Sequence, residues 1–179
     1  MNDDIVVRRL GAEEAAARIG ELARVLAECV EGGASVSFML PLAQDTAERF
    51  WQGVAASLAR GERTLVVAED GEGIAGTVQL ITDLPENQPH RAEIAKLLVR
   101  PGARGAGLGE RLMRCAEEAA RAQGKSVLVL DTASAAAERL YERLGWQRVG
   151  TVPDYALLPD GRMCATTFFY KRIEPAESA

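Results

Sequence analysis

The stretch from residue 92 to residue 122 constrains this chain more than any other. Ala92-Glu93-Ile94-Ala95-Lys96-Leu97-Leu98-Val99 reads as a strand. A turn follows, Arg100-Pro101-Gly102-Ala103-Arg104-Gly105-Ala106-Gly107, and then Leu108, Leu112, Cys115, Ala116 and Ala119 recur at helical spacing. A strand that turns through glycines into a helix aims several backbone N–H groups at one spot. The helix dipole adds partial positive charge there, so the spot suits a phosphate.

The remaining elements arrange themselves around this unit. Ile5 to Leu10 reads as a first strand, and one alanine-rich helix as running from about Ala12 to Val30, stopped by Gly32-Gly33. Ala34 to Pro41 is an apolar loop. A second helix spans about Gln44 to Arg60, with Asp45 or Thr46 near its N-cap. Thr64–Glu69 and Gly73–Ile81 form a hairpin across Asp70-Gly71-Glu72. Val127–Leu130 is a short buried parallel strand, Ala135–Leu144 a helix, and Trp146–Val152 with Ala165–Ile173 a closing antiparallel pair. The order β-α-α-β-β-β-α-β-α-β-β implies an α/β (α+β) single domain. Its mixed, mostly antiparallel sheet would have one parallel pair at the glycine turn and helices on both faces. The domain is expected over residues 1–173, with a frayed tail from Glu174.

Composition narrows the function. The 179 residues carry a net charge of −5, which argues against nucleic acid as main partner, yet Arg100, Arg104, Arg111 and Arg114 crowd the glycine turn. That local patch fits a small anionic ligand; alternatively, Arg111 and Arg114 solvate a helix face. The acidic start, Met1-Asn2-Asp3-Asp4, is unlike a signal peptide, and no apolar run reaches membrane-span length, so a cytoplasmic protein is expected. Cys29, Cys115 and Cys164 are too few and too dispersed for a disulfide framework or metal knuckle, and Cys115 reads as a small buried hydrophobe. His90 is the lone histidine, reads as a surface residue, and leaves no His-based metal site.

Three glycine-turn chemistries compete. A dinucleotide fingerprint needs Gly-x-Gly-x-x-Gly in the first βα unit, whereas here Gly105-x-Gly107-x-Gly109 comes late. A P-loop needs Gly-Lys-Ser/Thr, which Gly109-Glu110-Arg111 does not supply. Arg104-Gly105-Ala106-Gly107-Leu108-Gly109 instead resembles the Arg/Gln-x-x-Gly-x-Gly/Ala loop with which GNAT-superfamily N-acetyltransferases hold the pyrophosphate of acetyl-CoA. Downstream, Ala137-Glu138-Arg139-Leu140-Tyr141-Glu142-Arg143-Leu144-Gly145-Trp146 is similar to that family's Ala-x-x-Leu-Tyr-x-x-x-Gly-Phe segment, with Trp for Phe. Within the superfamily, Ala92-Glu93-Ile94…Leu97, Leu130-Asp131-Thr132 and Pro159-Asp160-Gly161-Arg162 resemble the tabtoxin-resistance acetyltransferases.

The resemblance implies a GNAT fold, acetyl-CoA as co-substrate, no metal, and transfer of acetyl to a primary amine of a small molecule, as a monomer or homodimer. Cofactor contacts would fall on Leu97, Leu98, Val99, the loop Arg104, Gly105, Ala106, Gly107, Leu108, Gly109 and Glu110, and on Ser134, Ala137 and Tyr141. Ser134 stands where many relatives carry Asn, altering one cofactor hydrogen bond. An alkyl ammonium has a pKa of roughly 10, so a base near the site is useful. Glu93 and Asp131 are the candidates, sharing the work through water, and the Leu97 amide would polarise the acetyl carbonyl. Even spacing predicts Glu93, Ala95, Leu97 and Val99 on one strand face. Asp131 reads alternatively as an N-cap. Tyr141 would protonate the departing thiolate, or else pack its ring in the core. Phe38, Met39 and Trp51 read as core or as acceptor-pocket wall, with Ser35 to Leu42 and Tyr155 to Met163 around them. Two other readings stand: a non-catalytic acyl-CoA sensor, and a peptide or protein N-acetyltransferase. The sensor could dispense with the carboxylates and Tyr141.

Overall fold

The computed structural model describes residues 5–176; the acidic start Met1–Asp4 and tail positions 177–179 lie outside them. The elements run β1 (Val6–Leu10), α1 (Ala12–Ala17), α2 (Ile19–Glu31), α3 (Gln44–Ala59), β2 (Arg63–Asp70), β3 (Gly73–Ile81), β4 (Arg91–Val99), α4 (Leu108–Ala122), β5 (Val127–Thr132), α5 (Ala135–Arg143), β6 (Gln147–Leu157) and β7 (Met163–Arg172). Seven strands form one sheet in the order β1-β2-β3-β4-β5-β7-β6, antiparallel except for β4 beside β5. Two apolar clusters sandwich it. One, under α4, contains Val78, Leu80, Ile94 and Leu112; the other, under α2 and α3, contains Leu26, Trp51, Leu65 and Leu98. No helix among the described residues is long and apolar enough to cross a membrane.

Three local expectations need correction. The first helix is broken at Arg18, whose backbone leaves helical geometry (φ −118°, ψ 24°). Its guanidinium reaches Glu21 at 2.7 Å and also pairs with Glu69 on β2, so the break points Arg18 at the sheet. The N-cap of α3 is Ala43, while Asp45 sits in the first turn and pairs with Arg49 at 2.7 Å. The closing strands are longer than expected, because the β6–β7 hairpin continues past Val152 to Leu157 opposite Met163.

The feature that creates the site lies in the middle of the sheet. β4 and β5 pair only across Arg91–Glu93 and Val127–Val129, and then separate. On the other side of β4, Gln79 opposes Ala95 but Thr77 opposes Leu98, so β4 carries one extra residue. That bulge centres on Lys96, held at φ 52°. Buried Thr77 pins it, its hydroxyl donating to the Lys96 carbonyl at 3.0 Å. The bulge overturns the expected alternation: Leu97 and Val99 join the α4-side core with Ile94, and Leu98 faces α2 and α3. Glu93 and Leu97 therefore do not share a face.

Candidate functional site

A cleft of about 780 Å³ opens where β4 and β5 part, within the size range of small-molecule sites. At one end stands the N-terminus of α4. Its N-cap, Gly107, is in the left-handed region (φ 71°), as is Gly105 (φ 86°), and no side chain caps the helix. After Arg104, the first backbone amide among the described residues to find a backbone acceptor is Arg111, which donates to the Gly107 carbonyl at 3.1 Å. The intervening amides are thus free for an anion. Gly109 sits close against Leu140, whose Cδ2 tip would have to give by a few tenths of an ångström to admit a Cβ, which would stand 3.0 Å away.

The arginine cluster divides by partner. Arg100 is paired to Glu28, Arg114 to Glu110, each at 2.8 Å, and Arg111 donates to the Ile5 carbonyl at 2.7 Å. Arg104 is exposed and lines the cleft; its guanidinium bonds the Val99 carbonyl at 3.2 Å and stands beside the Cys29 thiol, with no carboxylate paired to it among the described residues. It is therefore the arginine free to meet a phosphate. Leu97, Leu98 and Val99 form the β4 wall; Ser134, Ala137 and Tyr141 form the opposite wall. Ser134 caps α5, accepting from the Ala137 amide at 3.2 Å, so Asp131 is released from the capping role. Gly105, Gly107, Leu108, Gly109 and Glu110 line the cleft, whereas Ala106 packs against the α4-side core.

Asp131 and Tyr141 also line the cleft, near enough for the Asp131 charge to act on the phenol. Asp131 lies within β5, one residue before its end, and accepts from Thr166 Oγ1 at 2.9 Å. Tyr141 is buried, its ring 5.7 Å from Phe169 and 6.0 Å from Trp146. Burial first, and the Asp131 charge second, hold its phenol well above the ordinary value, so the hydroxyl stays protonated and able to donate. Glu93 is placed differently. It lies one step before the strands part, outside the cleft lining, and its carboxylate accepts from Arg91 at 2.8 Å.

A second cavity of about 350 Å³ adjoins the first, and Asp131, Thr132, Ala133 and Ser35 belong to both. Its walls come from the segments expected to hold an acceptor: Phe38 and Met39 from the loop after α2, and Tyr155 and Leu157 from β6. Trp51 is fully buried in the core instead. Lys96, Ser37, Thr77 and Thr166 were not singled out by sequence reasoning. Lys96 had a visible signal, being the lone charge in Ile94–Val99; the others had none.

A model of the acetyltransferase (GNAT) family matches residues 34–146, more than half of the chain. The chain belongs to that family. Over 106 residues it is 39% identical to an uncharacterized N-acetyltransferase of the hisH-hisA intergenic region of Azospirillum brasilense, covering 58% of this chain and 61% of that one. Over 83 residues it is 37% identical to the L-methionine sulfoximine/L-methionine sulfone acetyltransferase of Pseudomonas aeruginosa, covering 45% and 48%. The matches thus span about half to three-fifths of these relatives. The fold of this GNAT chain matches yncA of Salmonella typhimurium, solved with its cofactor acetyl-CoA (TM-score 0.78, 19% identity, 99% and 98% covered). It also matches the phosphinothricin acetyltransferase of Sinorhizobium meliloti in complex with acetyl-CoA (TM-score 0.75, 21% identity, 97% and 90% covered). At these identities the likeness concerns the fold.

Proposed function

We propose that the chain is an acetyl-CoA-dependent N-acetyltransferase acting on the primary amine of a small molecule. The observation that carries this reading is the cleft: an uncapped α4 N-terminus with free Arg104 at one end, and Asp131 and protonated Tyr141 in its lining. The α4 end fits a pyrophosphate, and the gap between β4 and β5 fits an extended chain leading from it. Acetyl-CoA would supply an activated acetyl thioester there.

The residues of the chain do the rest. Amides at the start of α4 and the Arg104 guanidinium hold the pyrophosphate. Asp131, shared by both cavities, accepts a proton from the acceptor ammonium directly or through water, leaving a neutral amine to attack. Glu93 serves in that proton path only as an outer partner, because Arg91 engages it. The Leu97 amide, on the β4 wall, stabilises the oxyanion. Tyr141 donates its hydroxyl proton to the leaving thiolate. The attacking nitrogen gains the acetyl group; the second proton it sheds returns through water to the Tyr141 oxygen, Asp131 passes the first to solvent, and the thiolate leaves as a thiol.

The Pseudomonas relative, named for acetylating amino-acid analogues, supports an amino-acid-like toxin or antibiotic as acceptor, in line with the tabtoxin-resistance resemblance. The test is CoA release measured over small amines, amino-acid-like toxins and peptides. Turnover of small amines is expected. Tight acetyl-CoA binding without turnover of any of them would replace the enzyme by an acyl-CoA sensor, and turnover of peptides alone would make it a protein acetyltransferase.

A further inference from the structure

The bulge that opens the cleft also places a cation that the steps above leave unused. Lys171 is ion-paired to Glu117, and Lys125 bonds the Pro89 carbonyl. Lys96 among the described residues finds only the Ser37 hydroxyl, at 3.3 Å, and lies 5.7 Å from the centre of the Phe50 ring. Its backbone and that of Ser37 are both in the left-handed region, at φ 52° and 80°. Two non-glycine residues in that region, joined through their side chains, form a contact maintained against backbone strain. Ser37 lines the second cavity, Lys96 the cleft, and Asp131 both.

The charges around Lys96 are few. Asp131 attracts it without forming an ion pair, Arg63 repels it, and burial lowers its pKa from the ordinary lysine value while Asp131 opposes that fall. A partly desolvated ammonium with no carboxylate in contact is a costly arrangement unless an anion completes it. A compact cation beside one hydroxyl offers charge-assisted contacts to a single anionic group. Asp131 at the same junction would repel a dianion and attract an ammonium.

We propose that Lys96, with Ser37, binds a carboxylate carried by the acceptor next to its amine, so that the acceptor is zwitterionic and lies between Lys96 and Asp131. This rests on the reading of Asp131 as the group facing the acceptor amine. Phe38, Met39 and Tyr155 then form an apolar wall for the acceptor side chain. Lys96 is thereby a specificity-determining residue for the acceptor, at the junction of the cleft and the second cavity.

The probes are the L-α-amino acids and their methyl esters, which keep the amine and remove the negative charge. Full-length protein is assayed for CoA release and, separately, for binding by calorimetry in the presence of CoA. One charge-assisted contact predicts a roughly 10- to 100-fold preference for the best acid over its ester. Lys96→Met brings that ratio to near one, and Lys96→Gly does the same despite relieving the positive φ. Lys96→Arg retains most of it. Equal affinity of wild type for acid and ester, or an equal loss of both in Lys96→Met, overturns the proposal. Binding of acids without any turnover would leave Lys96 in this role and remove the enzymatic reading instead.

Discussion

Tyr141 depends on a buried ion pair behind it, and cutting that pair has a calculable cost. Glu117 on α4 has only 5% of its side chain exposed. It accepts from Lys171 Nζ at 2.8 Å and from Trp146 Nε1 at 3.0 Å, while Arg121 stands at 3.5 Å. Lys171 also donates to the Leu144 carbonyl at 2.6 Å, closing the end of α5 two residues before Trp146, against which the Tyr141 ring packs. Lys171→Met removes both donations and leaves a buried carboxylate and a carbonyl short of partners. Breaking a buried pair from one side costs about 3–5 kcal/mol, and the surviving Trp146 and Arg121 contacts favour the lower end, about 3 kcal/mol. In a chain of this size each kcal/mol moves Tm by about 2–4 °C, so the expected fall is about 6–12 °C. Differential scanning calorimetry of Lys171→Met, Glu117→Gln and the double variant measures it. The double variant recovers most of the loss, since the introduced amide oxygen still accepts from Trp146 and carries no charge. A Tm fall under about 2 °C in Lys171→Met, or strictly additive losses in the double variant, would contradict this account of the pair.

Three further outcomes follow from the site and the ion pairs. Tyr141→Phe lowers kcat by about 100-fold or more with acetyl-CoA KM retained, read by steady-state CoA release; the raised phenol pKa means that the wild-type rate shows no limb from Tyr141 below about pH 10. Arg104→Ala raises acetyl-CoA KM by roughly tenfold, whereas Arg114→Ala, whose guanidinium is already taken by Glu110, changes it by less than about twofold; the reverse order would reassign the basic patch. Stability falls on acidification: Glu21 is held below its ordinary value of 4.5 by Arg18, and Glu69 by Arg8 and Arg18 against the opposing effect of its burial. Groups with lowered folded pKa values stabilise fully above their unfolded value and lose that contribution as pH drops through the folded one. Tm measured from about pH 8 downward stays level to about pH 5 and then declines, less steeply in Glu69→Gln; a rise below pH 4.5 would count against it.

The glycine-led start of α4 was legible in the chain because its determinants are local. Gly105, Gly107 and Gly109, the α4 pattern after them, and Arg104 before them depend on neighbours a few residues away, and glycine at left-handed φ is a backbone requirement that residue identity reveals. The parallel β4–β5 pair and the element order were legible for the same reason, through hydrophobic periodicity. The break at Arg18 was not, and the partner on the sheet that its guanidinium reaches, Glu69, lies 51 residues away. The placement of Asp131 in the cleft lining and of Glu93 outside it was also beyond the sequence, since it depends on where the two strands part.

The order of elements, the glycine-led start of α4 and the residues that line the cleft around it follow from the chain read along its length. The opening of that cleft, the separation of Glu93 from its lining, and the meeting of Asp131, Tyr141 and Lys96 come from packing in three dimensions. Register is the cause. One extra residue in β4, pinned by Thr77 from the neighbouring strand, reverses the faces of everything after it and turns Lys96 toward Ser37. Strand pairing across the sheet makes that choice, and a period-two pattern read along one strand does not contain it.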